Sequence, residues 1–311
     1  MQLHTMMNRR RFLRVLSGVA GVVALPGTLA GCSQGAAGDS TGSSPATQSA
    51  TSTSLVRLSS VPTPRDGGLY DDLLPNFEQK TGYRVELTAQ SESAVYDLAR
   101  DGGADMVISH YGHQSVQAFV EDGFGQWPQP IFFNQLALLG VPSDPAQVKG
   151  LSDLVEAFRR IAQTHSPFIV NDLEGVKYLT EILWNSAGRP DKEGWYLEQG
   201  SAKQDAIEAA VQQGGYVIWG LTPFLRTQRQ HSVDLQPLVL GDPLQQRIMV
   251  SIALNPDKVS GVNTEGVKAF QQYLLDPSTQ ARIRDFRLPG IDQQIWWPAG
   301  RNNAGYVLPK L

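Results

Sequence analysis

The segment Ile131-Phe132-Phe133-Asn134-Gln135-Leu136-Ala137-Leu138-Leu139-Gly140-Val141 decides how the chain is organised. It is a long apolar run, of the kind that can leave one sheet and enter another. A second such run, Ile248 to Leu254, lies far downstream and is the natural return crossing. Between and around them, apolar spacing alternates between a period of two and a period of 3.6, the signature of strands exchanging with helices in a mainly parallel sheet.

Upstream of the first crossing, the pattern predicts strands over 55–60, 84–89 and 104–109. Leu69, Leu73 and Phe77 fall on one helical face that stops near Gly82, and further helices are expected over 93–100 and 114–121. Downstream, a helical pattern opens between Gly150 and His165. A strand over 167–170, helices over 176–187 and 202–213, and a strand over 216–219 follow, then a short helix with Pro223 in its first turn. After the return crossing Asn263 caps a helix carrying Val267, Phe270 and Leu274, and a last helix spans 278–286. The expected fold is therefore α/β, with two lobes, each a mainly parallel sheet flanked by helices, joined by two hinge crossings near Asn134 and Ser251. Lobe 1 comprises 55–135 and 248–311, and lobe 2 comprises 136–247. In such sheets ligands lie outside the carboxyl ends of strands, where helix N-termini offer N–H groups and partial positive charge.

The N-terminus sets the compartment. Arg9, Arg10 and Arg11 precede an apolar run from Val15 to Ala30, which reads as a signal peptide with a twin-arginine n-region over 1–31. At about sixteen residues the run falls short of the roughly twenty that span a bilayer. Leu29-Ala30-Gly31-Cys32 resembles a bacterial lipobox, which makes Cys32 the expected lipidation site. Cys32 is the chain's single cysteine, so no disulfide, thiol nucleophile or thiolate metal site is expected. Residues 32–54 are dominated by Ser, Thr, Gly, Ala, Pro and Gln and read as a flexible tether. The expected location is the periplasm or the cell surface, with the protein membrane-anchored through its lipidated cysteine.

Beyond the tether, about 255 of the 311 residues have globular composition. Four of the 26 basic residues and none of the 30 acidic ones lie in the signal segment, so the mature chain carries −8. An acidic body without a basic cluster argues against a nucleic-acid partner. G-x-S-x-G, Walker A, H-E-x-x-H and a dinucleotide-binding G-x-G-x-x-G are all absent, and no enzyme activity or cofactor is expected. His110 and His113 form an H-x-x-H pair after the third strand. As a metal site it would need a carboxylate such as Asp66 or Glu92, and the plainer reading is a pair of loop histidines, with no metal. Trp296 and Trp297 are as well suited to fastening the C-terminal tail to lobe 1 as to touching a ligand.

The stretch from about Leu55 to Phe286 resembles the tungstate-binding proteins of bacterial ABC importers. The resemblance is carried by Arg65-Asp66-Gly67-Gly68-Leu69, by Leu98-Ala99-Arg100 with Ala104-Asp105 and His110, and by Phe119-Val120-Glu121-Asp122-Gly123-Phe124-Gly125. Asn134, Ser143-Asp144-Pro145, Lys149-Gly150-Leu151, Trp195-Tyr196-Leu197-Glu198, Gly241-Asp242-Pro243, Asn255-Pro256 and Val262-Asn263 extend it in order. It implies a monomeric receptor that hands a small solute, an oxyanion such as tungstate or molybdate or else a small organic molecule, to an ABC permease; the alternative is a lipoprotein of the same fold that senses a solute or binds a protein partner without transport. The ligand positions depart from the family's pattern. Its opening hydroxyl run is Ser60-Val61-Pro62-Thr63 here, its Gly-Thr-Gly turn is Ser91-Glu92-Ser93, and its two arginines are matched by Asn171 and Leu221. Near the missing charges stand Glu174 and, as the one basic replacement, Lys177. The expected contacts are Ser60, Thr63, Ser91, Ser93, His110, Asn134, Asn171, Gly175 and Trp219, with a packing wall from Trp219 or Tyr111.

Overall fold

The computed structural model describes residues 54–299; the signal segment, Cys32 and nearly all of the tether lie outside the described residues, as does the side chain of Glu92. The body opens with β1 (Leu55–Ser60), α1 (Pro62–Asp66), α2 (Leu69–Thr81), β2 (Arg84–Ala89), α3 (Glu92–Arg100), β3 (Met106–His110) and α4 (Gln114–Glu121). β4 (Gln129–Gly140) leads to α5 (Leu154–Gln163), β5 (Phe168–Ile169), α6 (Glu174–Ser186), β6 (Tyr196–Leu197), α7 (Gln204–Gln213), β7 (Tyr216–Gly220), α8 (Leu221–Gln230) and β8 (Gln236–Val239). The chain returns through β9 (Gln246–Ala253) to α9 (Thr264–Leu275), α10 (Pro277–Asp285) and β10 (Trp297–Pro298). Local chemistry accounts for several of these limits. Gly82 ends α2 at φ 76°, a left-handed conformation that costs glycine little. Asn263 starts α9 by accepting a hydrogen bond from the Gly266 N–H, as its sequence position predicts.

The strands form one continuous path, β2-β1-β3-β9-β4-β7-β5-β6, with β10 and β8 also paired to β4. Parallel pairing joins β2-β1-β3 at one end and β7-β5-β6 at the other. The two crossing strands pair antiparallel with their neighbours. β4 is the long apolar segment of the sequence, and it changes partner part-way along: Gln129 to Gln135 pair with β9, and Leu136 to Gly140 with β7. β9 meets that change of partner at Gln246, opposite Gln135. Ser251, expected at the hinge, lies five residues further into β9, buried between Gln129 and Ile108. The reason is register: the return crossing begins two residues before the apolar run that announced it.

Two apolar clusters flank the crossing. The larger contains Val56, Phe77, Ile108, Phe119, Phe270 and Trp296 and continues past the crossing to Ile207 of α7, Val217 of β7 and Phe224 of α8; the smaller gathers Phe158, Phe168, Leu183, Trp195 and Ile218 around α5, α6 and β5–β7. Alternation along β4 serves both, with Ala137 and Leu139 in the larger cluster and Leu136 and Leu138 in the smaller. Of the two roles open to Trp296 and Trp297, packing decides for fastening the tail. Trp297 pairs with Phe133 of β4 and stacks on its ring at 5.6 Å, while Trp296 meets Phe132 edge-on at 5.4 Å. A Cβ on Gly67 would stand 2.8 Å from the Trp296 ring, so this approach requires glycine.

The short elements α1, β6, β8 and β10 were not anticipated, because two to five residues are too few to display a period. The helix containing Pro223, expected to be short, runs for ten residues.

Candidate functional site: a cleft ringed by helix N-termini

A cleft of about 490 Å³ opens beside the crossing strands. Its wall includes the N-cap residues Ser91 of α3, His113 of α4, Leu173 of α6, Lys203 of α7 and Gly220 of α8, together with Pro62 and Thr63 from the first turn of α1. None of these six helices has a side-chain cap. Of the four α-helices that start elsewhere, α5, α9 and α10 are capped by Asp153, Asn263 and Asp276, whereas α2, which begins at Gly68, has no side-chain cap either. First-turn N–H groups have no acceptor within their own helix and carry the positive end of its dipole. Collected around one cavity, they suit a ligand rich in acceptor oxygens.

Six of the nine expected contacts line this cleft: Thr63, Ser91, His110, Asn134, Gly175 and Trp219. Three do not. Ser60 is buried and spends its hydroxyl on the Val61 carbonyl and the Tyr70 hydroxyl, 3.0 and 2.7 Å away. Ser93, one residue into α3, is exposed and turned away. Asn171 is buried behind the wall; its Nδ2 donates to the Ile218 carbonyl at 3.1 Å, and its Oδ1 accepts the Lys203 N–H at 3.1 Å. It thus positions the start of α7, where Lys203 adopts φ 55° and ψ −123°, a conformation that L residues rarely take.

The electrostatics differ from the sequence expectation. Lys177 is not in the cleft: its ammonium pairs with Asp172 at 2.6 Å on the exposed side, and that hydrogen bond raises its pKa. The positive charge comes instead from Lys203 and Arg247, both in the cleft wall. Arg247 stands at the start of β9, opposite Asn134 in the ladder, and its Nη2 donates to His113 Nε2 at 3.2 Å. Linear order gives no hint of either residue. Lys203 is a helix N-cap revealed only by its strained backbone, and Arg247 reaches the cleft only because β9 begins where it does. Glu174 lines the cleft as well, beside Gly175.

Asn134 is 5% exposed, and its Oδ1 has no hydrogen-bond partner. A buried amide oxygen left without a partner is costly. A bound group relieves that cost, directly or through a half-turn of the amide that hands the NH2 to the ligand. The His110 and His113 rings lie 6.2 Å apart, and among the described residues no cluster of three His, Cys, Asp or Glu is placed to hold a metal ion. Asp66, the carboxylate considered for the pair, is engaged by Arg65 at 2.9 Å.

A second basin of about 460 Å³ adjoins the first and shares His113, Leu136, Glu174, Gly175 and Arg247 with it. Its remaining wall is largely apolar and includes the exposed side chains of Tyr111, Tyr178, Leu244 and Ile248. Tyr111, suggested as a packing wall, belongs to this basin, whereas Trp219 belongs to the cleft.

Among the described residues no helix is long and apolar enough to cross a membrane. Residues 67–286 match the sequence profile of a family described as bacterial extracellular solute-binding protein. A Haloferax volcanii protein named as an ABC transporter anion-binding protein is 30% identical over 93% of this chain and 85% of its own length. The tungstate-binding protein TupA of Peptoclostridium acidaminophilum is 27% identical over 88% of this chain and 94% of its own. Among solved structures, the tungstate-binding protein TupA from Desulfovibrio alaskensis G20 superimposes with a TM-score of 0.71 at 25% identity, covering 79% of this chain and 99% of that one.

Proposed function

The chain belongs to the bacterial extracellular solute-binding protein family, and from that premise we propose that it is the receptor of an ABC importer for a tetrahedral oxyanion of the tungstate and molybdate class. The observation that carries this reading is the ring of six uncapped helix N-termini around one cleft that also holds Arg247 and Lys203. An oxyanion brings both charge and many acceptor lone pairs. A dianion leaving water needs donors on every side, because a buried charge without partners costs several kcal/mol. The Thr63 N–H of α1 and backbone N–H groups from α3 and α4 on one side, and from α6, α7 and α8 on the other, meet that demand without two arginines at the family's positions.

In this reading residues 55–135 and 248–311 form one lobe and 136–247 the other. The hinge runs through the partner change at Gln135–Leu136 and the matching start of β9 at Gln246. Ligand contacts on both sides of the cleft favour a closed form, which the permease would recognise, and the protein binds and releases without turnover. We further propose that it works as a monomer tethered by lipid on Cys32.

Calorimetric titration of the soluble body with tungstate, molybdate, sulfate, phosphate and a set of small carboxylic acids tests the reading. Saturable binding of tungstate or molybdate, with little for the carboxylic acids, is expected, and binding shifts the melting temperature upward with ligand concentration. Binding of the organic acids alone would replace it with the second reading, a small organic solute, which the apolar walls of the adjoining basin favour.

A further inference from the structure

Arg247 is the charged side chain that touches both sides of the cleft. It is anchored on β9 opposite Asn134, its Nη2 donates to His113 Nε2 at the start of α4, and its guanidinium reaches the first turn of α6. That reach depends on residue 175. A Cβ built on Gly175 would stand 2.3 Å from Arg247 Nη1 and 3.3 Å from its Cζ. The guanidinium occupies the space that any other residue at 175 would fill. Gly175 does not adopt a left-handed conformation, so backbone torsion alone does not demand glycine here.

We infer that Arg247 is the side chain that recognises the anion and sets its selectivity, and that Gly175 is glycine in order to admit it to the N-terminus of α6. The inference rests on the oxyanion-receptor reading above. A guanidinium presents five N–H donors in a planar fork that matches two oxygens of one anion, so it can hold His113 and a ligand together. In its observed position it lies between the N-termini of α4 and α6, whose dipoles also favour an anion, and beside the buried amide of Asn134. It also stands between the two basins and forms part of both walls. An anion bound to it is therefore held at once beside the N-terminus of α4 in one lobe and that of α6 in the other, which couples binding to the relative position of the two sides.

The two residues give separable tests. Gly175→Ala places a methyl against the far end of a flexible side chain, so the guanidinium moves and the fold has no reason to fail; alanine is also the better helix former. With tungstate and molybdate as probes, Arg247→Gln is expected to weaken binding about 30-fold or more, and Arg247→Lys to recover part of it. Gly175→Ala is expected to weaken binding about five- to tenfold with an unchanged or raised melting temperature. In an Arg247→Gln background the same alanine is expected to have no further effect. Arg247→Gln binding within about twofold of wild type would overturn the inference, and so would an alanine penalty that persists without the arginine, since it would then act on the helix terminus itself. Failure of the unmodified protein to bind either oxyanion would instead overturn the functional reading, and the inference with it.

Discussion

Asn134 and Arg247 face each other across the β4–β9 ladder, one residue before β4 exchanges β9 for β7. A neutral amide with an unpartnered oxygen and a guanidinium thus share the floor of the cleft at the point where the sheet changes hands. The pairing links recognition to the crossing: whatever occupies the cleft contacts the strands about which its two sides would move.

Asn134→Leu replaces the amide by a near-isostere without polar atoms. Burying an unsatisfied polar group costs about 1–3 kcal/mol, so the melting temperature is expected to hold or rise while oxyanion affinity falls about tenfold. Thermal unfolding and titration of the same sample check both. A melting temperature several degrees lower would mean that the amide is held by the fold.

Trp219 is 8% exposed and lines the cleft, whereas Trp195 and Trp296 are fully buried in the two apolar clusters. Ligand binding is therefore expected to alter intrinsic fluorescence chiefly through Trp219. In Trp219→Phe the ligand-dependent signal should largely vanish while calorimetric binding persists. An undiminished signal would place the reporter elsewhere.

Asp105 is 1% exposed, yet its carboxylate is fully engaged. Oδ1 accepts from Arg57 Nη2 at 2.5 Å and from the Asn263 N–H at 3.0 Å, and Oδ2 accepts from the Arg57 N–H at 2.7 Å and Nε at 3.2 Å. One side chain thereby joins β1, the start of β3 and the entry to α9. Asp105→Asn should destabilise the body by about 3 kcal/mol, the low end for breaking a buried pair, because the Arg57 side chain is 30% exposed and screened. Affinity should be unchanged in the folded fraction. Denaturant titration and ligand titration separate the two effects.

Asp276 caps α10 by accepting from the Ser278 hydroxyl and N–H, and these bonds hold its pKa below the usual aspartate value. The stabilisation is therefore complete above the ordinary aspartate range and is lost as the pH falls through the depressed folded value. Asp276→Ala should cost about 1 kcal/mol near neutrality. Its stability should also fall less steeply on acidification than that of the wild type, as urea midpoints across the acid range would reveal.

The legible features were those written in contiguous residues. The apolar run containing Asn134 announced a strand serving two sheets, and β4 does so; Asn263 announced a helix start, and it caps α9. Thr63, Ser91 and Gly175 lie beyond strand ends and His110 closes β3, where this topology gathers helix N-termini, and all four fall on or beside positions that the family resemblance marks. Ser60, Ser93 and Asn171 have equally suitable chemistry, but direction decides against contact: Ser60 turns into the core, Ser93 into solvent, and Asn171 behind the wall.

By itself, then, the sequence determined the alternation of strands and helices, the two crossings and the family to which they belong, because periodicity and capping act over a few neighbouring residues. Only the tertiary structure decided the charge of the cleft. Lys177 is spent on Asp172, while Arg247 enters from the far end of the chain through strand register and through the space left by Gly175. Side-chain direction and contacts between distant segments depend on packing in three dimensions, and no local pattern encodes them.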